Sequence, residues 1–190
     1  LASAAADRFI GKNENTPLDH QRPYIGHIYV NVAKLPQSPQ DETSGDRQFF
    51  VTIMHELMHI LSFAGSLFPR WNDRLTGHTY TQATVKFFNN YQIEQSFIAT
   101  PGLQNWVFDR FQVIEPELKQ LGLELEDGGG SGTAGSHPNS RLYFTDIMQG
   151  KTYGPGYFSL IYFNSLQDSG WYEANFELNE TLAYLDPNFV

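Results

Sequence analysis

The chain has 190 residues, of which 41% are hydrophobic and 17% charged, a composition typical of a globular protein rather than a disordered one. Its net charge of −9, without a Lys/Arg cluster, argues against nucleic acid as a partner because a phosphate backbone would be repelled. Cysteine is absent, which excludes disulfides and thiolate metal sites and leaves His, Asp and Glu as candidate ligands.

No apolar run approaches the roughly 20 residues that a membrane-spanning helix needs. The first residues also lack the basic head and continuous apolar middle of a signal peptide. We therefore expect no membrane-spanning segment in this chain.

The first third of the chain contains one predicted strand and one predicted helix. After an Ala-rich opening, the alternation of residues 24–32 (YIGHIYVNV) predicts a strand. Residues 36–45 (PQSPQDETSG) have the composition of a loop. The apolar spacing of residues 48–63 (QFFVTIMHELMHILSF) then predicts a helix, with Asp46 or Ser44 as its N-cap.

The rest of the chain predicts shorter elements separated by loops. A short helix is expected over 81–89, and Thr100 followed by Pro101 indicates the start of a helix that ends near Phe111. Residues 128–135 form a glycine loop, which lacks the GK[ST] ending and the preceding strand of a phosphate-binding loop. A helical pattern returns over 158–169.

Residues 55–59 (HELMH) form an HExxH motif inside the predicted long helix. Residues four apart lie one turn apart on the same helix face, so His55 and His59 can point at one ion. Glu56 lies beside them, where a carboxylate can accept a proton from water that zinc has acidified. The alternative is a buried helix whose histidines are merely hydrogen-bonded, but such polar groups are costly on an apolar helix without a partner.

Two histidines leave zinc without its third protein ligand. The short metzincin pattern HExxHxxGxxH fails here, because Ser62 replaces the glycine and Gly65 stands where the third histidine would be. A glutamate could instead be the third zinc ligand. Glu94 is the nearest candidate, although it lies in no convincing helix.

Residues 124–137 (ELEDGGGSGTAGSH) and 146–150 (DIMQG) closely resemble the leishmanolysin family of metzincins. Residues 158–172 (FSLIYFNSLQDSGWY) look like the family's helix that ends in DTGWY, and residues 22–26 (RPYIG) look like its strand entry. The resemblance implies that His137 is the third zinc ligand beside His55 and His59. It also implies that Glu56 is the general base and that Met148 forms the hydrophobic floor beneath one catalytic Zn²⁺.

The resemblance further implies an α+β fold of the metzincin type. We expect an incomplete N-terminal subdomain over 1–66, with strands and the active-site helix, and an insertion with a C-terminal subdomain of loops and helices over 67–190. A domain of this family would begin well before Leu1. The resemblance also implies an extracellular or membrane-associated location and a link to cell adhesion, whereas the lack of cysteine favours an intracellular location as the alternative.

The expected function is hydrolysis of internal peptide bonds in a protein or peptide substrate, which would pair with an edge strand. The alternative is an inactive relative that serves as a binding or structural component, with partner chains in a larger assembly. Ser62, Pro138 after His137 and the missing cysteines motivate that alternative. A non-peptidase zinc hydrolase is a third, weaker reading.

The remaining polar residues are interpreted as structural. We expect His27 in a strand and His20 and His78 in loops, without ligand roles. The acidic residues near the glycine loop are expected to form a solvated face, with a Ca²⁺ contact as the alternative; they are Glu115, Glu117, Glu124, Glu126 and Asp127. Trp171 and Tyr172 are expected to close the C-terminal core.

Overall fold

The computed structural model describes residues 2–10, 21–35, 44–89, 91–112, 120–130, 132–151 and 156–180. This part of the chain is a mixture of helices and antiparallel strand pairs, which confirms the α+β class. The α-helices are α1 (Ser44–Leu61), α2 (Pro101–Phe111) and α3 (Leu160–Asp168). The strands are β1 (Ala2–Phe9), β2 (Pro23–Val30), β3 (Asn72–Asp73), β4 (His78–Thr79), β5 (Thr84–Phe88), β6 (Glu94–Ile98) and β7 (Leu123–Glu124). Short 3-10 helices lie at Val32–Lys34, Phe68–Arg70 and Phe176–Leu178.

β1 and β2 form an antiparallel ribbon that packs on α1. Half-buried and exposed residues alternate along most of β1, since successive side chains of a strand point to opposite faces. Gly26 of β2 lies closest to the helix: a Cβ at this position would be 2.4 Å from Cγ2 of Ile60. The absence of a side chain at Gly26 therefore allows the ribbon to lie directly on α1.

The hydrophobic core lies between α1 and the C-terminal half of the chain. Val51 and Met58 of α1 pack in the same cluster as Trp71, Met148 and Ile161. This core joins residues from both sides of the predicted boundary at residue 66, so α1 is fixed against the segments that follow it.

A second sheet has the order β5–β6–β7, with both pairs antiparallel. Directly after β7, Leu125 forms an isolated antiparallel bridge with Pro138. The sheet is thereby linked to the residues on either side of His137.

Asp168 connects the end of α3 to the start of α2. Its buried carboxylate accepts hydrogen bonds from Thr100 Oγ1 at 2.6 Å, Leu103 N at 3.0 Å and Gly102 N at 3.1 Å. These two N–H groups have no partner within their own helix, because the first turn of a helix leaves its donors free. The carboxylate of one helix thus caps the other, while Thr100 makes no side-chain cap of its own.

Several predicted elements are confirmed. The strand over 24–32 is β2, and His27 lies in it and contacts Asp7. The helices predicted over 48–63, 100–111 and 158–169 are α1, α2 and α3. Trp171 is buried in the core with Tyr172 packed against it.

Other predictions about elements are wrong. Residues 84–88 form strand β5 rather than part of a short helix, because their β-branched and aromatic side chains pair with β6. The long helix already begins at Ser44, so Asp46 lies within its first turn and neither residue precedes it as the N-cap. His78 lies in the short strand β4 rather than in a loop.

The acidic stretch is also different from the predicted solvated face. Glu124 is buried, with 8% of its surface exposed, and Glu126 is half-buried, whereas Asp127 is exposed. Glu115, Glu117, His20 and most of the loop predicted over 36–45 lie outside the described residues. Within the described part of the chain, none of the helices has the length and apolar character needed to cross a bilayer.

The contact between Gly26 and α1 predicts a steric cost for any side chain at this position. We expect Gly26→Ala to lower the free energy of unfolding by about 1–3 kcal/mol, because the new methyl group overlaps Ile60 and approaches the Ala5 carbonyl oxygen at 3.0 Å. Urea denaturation measures the change. Gly132→Ala is the matched control, since no atom lies within 4 Å of a Cβ there. Equal stability of the two variants would contradict the close packing.

Candidate metal centre

Three histidine side chains from two distant parts of the chain meet at one point. His55 and His59 lie one turn apart on α1, and His137 follows the glycine loop. His55 and His59 are half-buried, and His137 is buried with 5% of its surface exposed. Of the His, Asp and Glu side chains in the described ranges, these three form the group whose ligand atoms converge closely enough to hold a metal ion.

The Nε2 atoms of the three imidazoles face one another. Nε2 of His59 lies 3.0 Å from Nε2 of His55 and 3.1 Å from Nε2 of His137, and the remaining separation is 3.2 Å. Tetrahedral zinc with bonds of about 2.0–2.1 Å to imidazole spaces its ligand nitrogens about 3.3 Å apart. The triangle of nitrogens therefore has nearly the size that a zinc ion requires.

Backbone carbonyl groups fix the tautomer of each ring. His55 Nδ1 lies 2.7 Å from the Ile147 carbonyl oxygen, His59 Nδ1 2.6 Å from that of Phe63, and His137 Nδ1 3.1 Å from that of Thr133. A carbonyl oxygen can only accept, so each Nδ1 donates and must hold the proton of a neutral ring. The three Nε2 atoms then present lone pairs to one another, which is the arrangement that a cation stabilises.

The electrostatic environment keeps these rings neutral. Burial, together with the neighbouring histidines, lowers the pKa of His55 to about 3. Burial lowers the pKa of His59 to about 4 and also lowers that of His137. Neutral imidazole is the form that binds metal, so the donor set fits zinc.

Glu56 lies beside the histidines at the wall of a pocket. Only 6% of its surface is exposed, and burial raises the pKa of its carboxyl group above the ordinary value. The pocket has a volume of about 160 Å³ and lies between α1, which contributes His55 and Glu56, and residues 144–147. A carboxylate in this position can accept a proton from a molecule bound next to the histidines.

Met148 lies in a turn that also contacts the histidines. Its side chain is fully buried, and its N–H donates to Asp146 Oδ1 at 2.7 Å. The next residue back, Ile147, provides the carbonyl oxygen that accepts from His55. The turn thus orients one ring of the centre through its backbone.

No sequence signal identifies the three carbonyl acceptors, because any residue type can supply a backbone oxygen. Asp146 is a further residue that sequence reasoning left without a role. Its buried carboxylate accepts hydrogen bonds from Met148 N and from Ser159 Oγ, and this ties the turn to the start of α3. An acidic residue two positions before Met148 is the one signal that could have indicated this link.

The other candidates lie elsewhere. Glu94 is exposed on β6 and forms an ion pair with Lys86 at 2.6 Å, so it is not a third ligand of this centre. Ser62 is fully buried at the end of α1, where its hydroxyl group lies 3.6 Å from the Met58 sulfur. Positive φ values at non-glycine residues occur in the described chain at Gln92 and Gln112, so Ser62 adopts no conformation that would require glycine.

Comparison with known proteins identifies the family of this chain. The leishmanolysin peptidase family model matches residues 14–187, and the chain therefore belongs to the leishmanolysin family, a family of zinc metallopeptidases. It is 26% identical to the leishmanolysin-like peptidase of Drosophila melanogaster, over 86% of this chain and 27% of that protein. It is 26% identical to leishmanolysin of Leishmania major, over 84% of this chain and 24% of that protein.

A vertebrate relative shows a similar degree of likeness. The chain is 29% identical to the ciliated left-right organizer metallopeptidase of Mus musculus, over 86% of this chain and 23% of that protein. The chain thus spans about a quarter of the length of the curated relatives that it matches.

The buried Asp146 predicts a specific pH dependence of stability. Burial raises its pKa to about 7, although bonds from Ser159 and Met148 favour the charged form. Between about pH 4 and pH 7 the folded protein therefore keeps a proton that the unfolded chain has released, and this residue's contribution to stability falls as pH rises. Asp146→Asn removes that loss. Between about pH 4 and pH 7 the free energy of unfolding of the variant should therefore rise by up to about 4 kcal/mol relative to that of the wild type.

Urea denaturation of both proteins with a chelator present, at pH 4.5 and 7.5, measures the difference. Asp127→Asn, at an exposed position, is the matched control and is expected to track the wild type. A constant difference between Asp146→Asn and wild type at the two pH values would contradict the assigned protonation.

Proposed function

We propose that this chain is the catalytic portion of a zinc-dependent endopeptidase, with His55, His59 and His137 as the zinc ligands. The observation that supports this most strongly is the convergence of three neutral imidazoles whose Nε2 lone pairs face one another at 3.0–3.2 Å. Packing alone gives no reason to bring three acceptors together, because each would lose its hydrogen bond to water without gaining a donor. Membership of a zinc metallopeptidase family supports the same assignment.

A zinc ion at this centre supplies a Lewis acid that acidifies water and polarises a peptide carbonyl group. The chain's own contribution is proton transfer by Glu56. Its carboxylate accepts the proton of the attacking water and passes it to the nitrogen of the leaving amine. The raised pKa of this buried group makes it a better proton acceptor than an ordinary glutamate when it is ionised.

We place the substrate along the pocket that Glu56 lines. Ala2 of β1 contributes to the same pocket, and among the described strands β1 pairs with β2 alone. In the described part of the chain one edge of β1 has no strand partner, and an extended peptide would add there as a further strand.

A metzincin fold remains part of this proposal, with Met148 as the hydrophobic floor of the centre. So does the division into segments 1–66 and 67–190. Family membership supports the proposal of an extracellular or membrane-associated location, and an intracellular location is the alternative given the absence of cysteine. Links to membranes, to cell adhesion or to a larger assembly stay predictions.

An inactive relative with a binding role is the second candidate function. It is motivated by Pro138 directly after His137 and by Ser62 at the end of α1. Such a protein would have an empty or a zinc-filled histidine site and would not hydrolyse peptides. The two candidates therefore differ in whether the wild type hydrolyses peptide bonds.

Peptidase activity of the wild type separates the two candidates, and replacing Glu56 by glutamine tests the assigned base. We expect Glu56→Gln to keep its zinc and to lower kcat for an unstructured protein substrate by about 10²–10⁴-fold, because the amide cannot accept the proton. Zinc content by atomic emission and peptide-bond cleavage are the two measurements. The exposed Glu177→Gln serves as control. Unchanged activity in Glu56→Gln would refute its role as base, and a wild type that binds zinc without turnover would favour the inactive relative.

Removing the third imidazole tests the ligand set. We expect His137→Ala to weaken zinc binding by more than about 100-fold, beyond the 10–100-fold cost of losing an outer partner of a ligand. Competition with a chelating dye measures the affinity. His78→Ala removes an exposed histidine of β4 and should leave the affinity unchanged. Equal zinc affinity in the two variants would exclude His137 from the ligand set.

A further inference from the structure

A buried carboxylate next to the His137 segment has no role in the chemistry described above. Glu124 lies at the end of β7, and its Oε1 atom accepts three hydrogen bonds. The donors are Asn139 Nδ2 at 2.6 Å, Arg141 Nη2 at 2.9 Å and Gln95 Nε2 at 3.0 Å. One oxygen thus links β6 to the residues that follow His137.

The backbone around Glu124 forms a short antiparallel frame. The Glu126 N–H donates to the His137 carbonyl oxygen at 2.8 Å, and the Asn139 N–H donates to the Glu124 carbonyl oxygen at 2.9 Å. In an antiparallel pair these bonds place Glu124 opposite Asn139 and Glu126 opposite His137. Two backbone hydrogen bonds therefore fix which residue lies opposite His137, a candidate zinc ligand.

This register decides which way His137 points. A slip of one residue between paired strands turns every side chain to the opposite face. The frame is short, and the loop that precedes it is rich in glycine, so few bonds hold its register. The hydrogen bond between the Glu124 and Asn139 side chains joins the same two residues that a backbone hydrogen bond already joins.

We propose that Glu124 is a positioning residue for His137, which acts through Asn139 and keeps the imidazole directed at His55 and His59. The inference rests on the proposed zinc site. In the described part of the chain Glu124 forms no hydrogen bond or ion pair with the three histidines. Its effect on the metal is therefore indirect. Loss of its acceptor oxygen leaves the Asn139 amide buried without its partner and frees the segment to shift.

Zinc affinity measured by chelator competition on the 190-residue chain tests the proposal. We expect Glu124→Leu to weaken binding by about 10-fold, the lower end of the range for groups that bond a metal ligand directly, because Glu124 acts through Asn139. Glu124→Gln keeps an acceptor oxygen for Asn139 and should rescue most of the affinity. Glu94→Leu is the matched control, because it removes an exposed carboxylate from the neighbouring strand β6, and it should bind zinc like the wild type.

A double-mutant cycle distinguishes positioning from general destabilisation. If Glu124 acts through His137, Glu124→Leu causes no further loss of zinc affinity in a His137→Ala background. Should Glu124→Leu fail to fold, Asn139→Ala removes the donor while leaving the carboxylate paired with Gln95 and Arg141, and the same loss is expected.

The outcomes separate the two proposals. If the wild type, Glu124→Leu and Asn139→Ala bind zinc equally tightly, the positioning role of Glu124 is overturned and the zinc site is not. An equal loss in the wild-type and His137→Ala backgrounds overturns it as well, since the effect would then bypass His137. A wild type without zinc affinity overturns the zinc site itself and this inference with it.

Discussion

The arrangement of this molecule depends on three imidazole rings that must each hold a proton on one nitrogen and a free lone pair on the other. The lone pairs repel one another when no cation is present, so the chain has to supply the force that keeps the rings together. It does so with three backbone carbonyl oxygens, from Phe63, Thr133 and Ile147, which accept from the Nδ1 atoms. Each of these carbonyls belongs to a different turn, and the fold brings the three turns to one place.

The surrounding structure can be understood as the support of those turns. Phe63 lies two residues after the end of α1, and the β1–β2 ribbon packs on this helix. Ile147 belongs to the turn that Asp146 ties to α3 through Ser159. Thr133 lies in the glycine loop, and the backbone bonds between residues 124–126 and 135–139 fix the end of that loop. Burial has a cost at the last two of these points, because Asp146 and Glu124 are carboxyl groups with little access to water. The hydrogen bonds that they accept offset part of this cost.

Sequence reasoning reached the parts of the molecule that depend on local pattern. The HExxH spacing and the apolar period predicted α1 with His55 and His59 on it, and both features are present. His137 could be found only by resemblance, because a loop histidine has no local signature of a ligand. The strand β5 was predicted as a helix since its partner β6 lies outside any local window. Glu124 was predicted as solvated for the same reason: its burial results from Gln95, Asn139 and Arg141, which are distant in sequence. Tertiary contacts decided these cases against local preference.

X-ray absorption spectroscopy at the zinc edge, on the chain loaded with one equivalent of zinc, tests the central claim most directly. Our account predicts a first shell at about 2.0–2.1 Å that contains three imidazole nitrogens, with the multiple-scattering pattern of histidine rings. A shell built from oxygen atoms, or one with two imidazoles in place of three, would contradict the convergence of His55, His59 and His137 on a single ion.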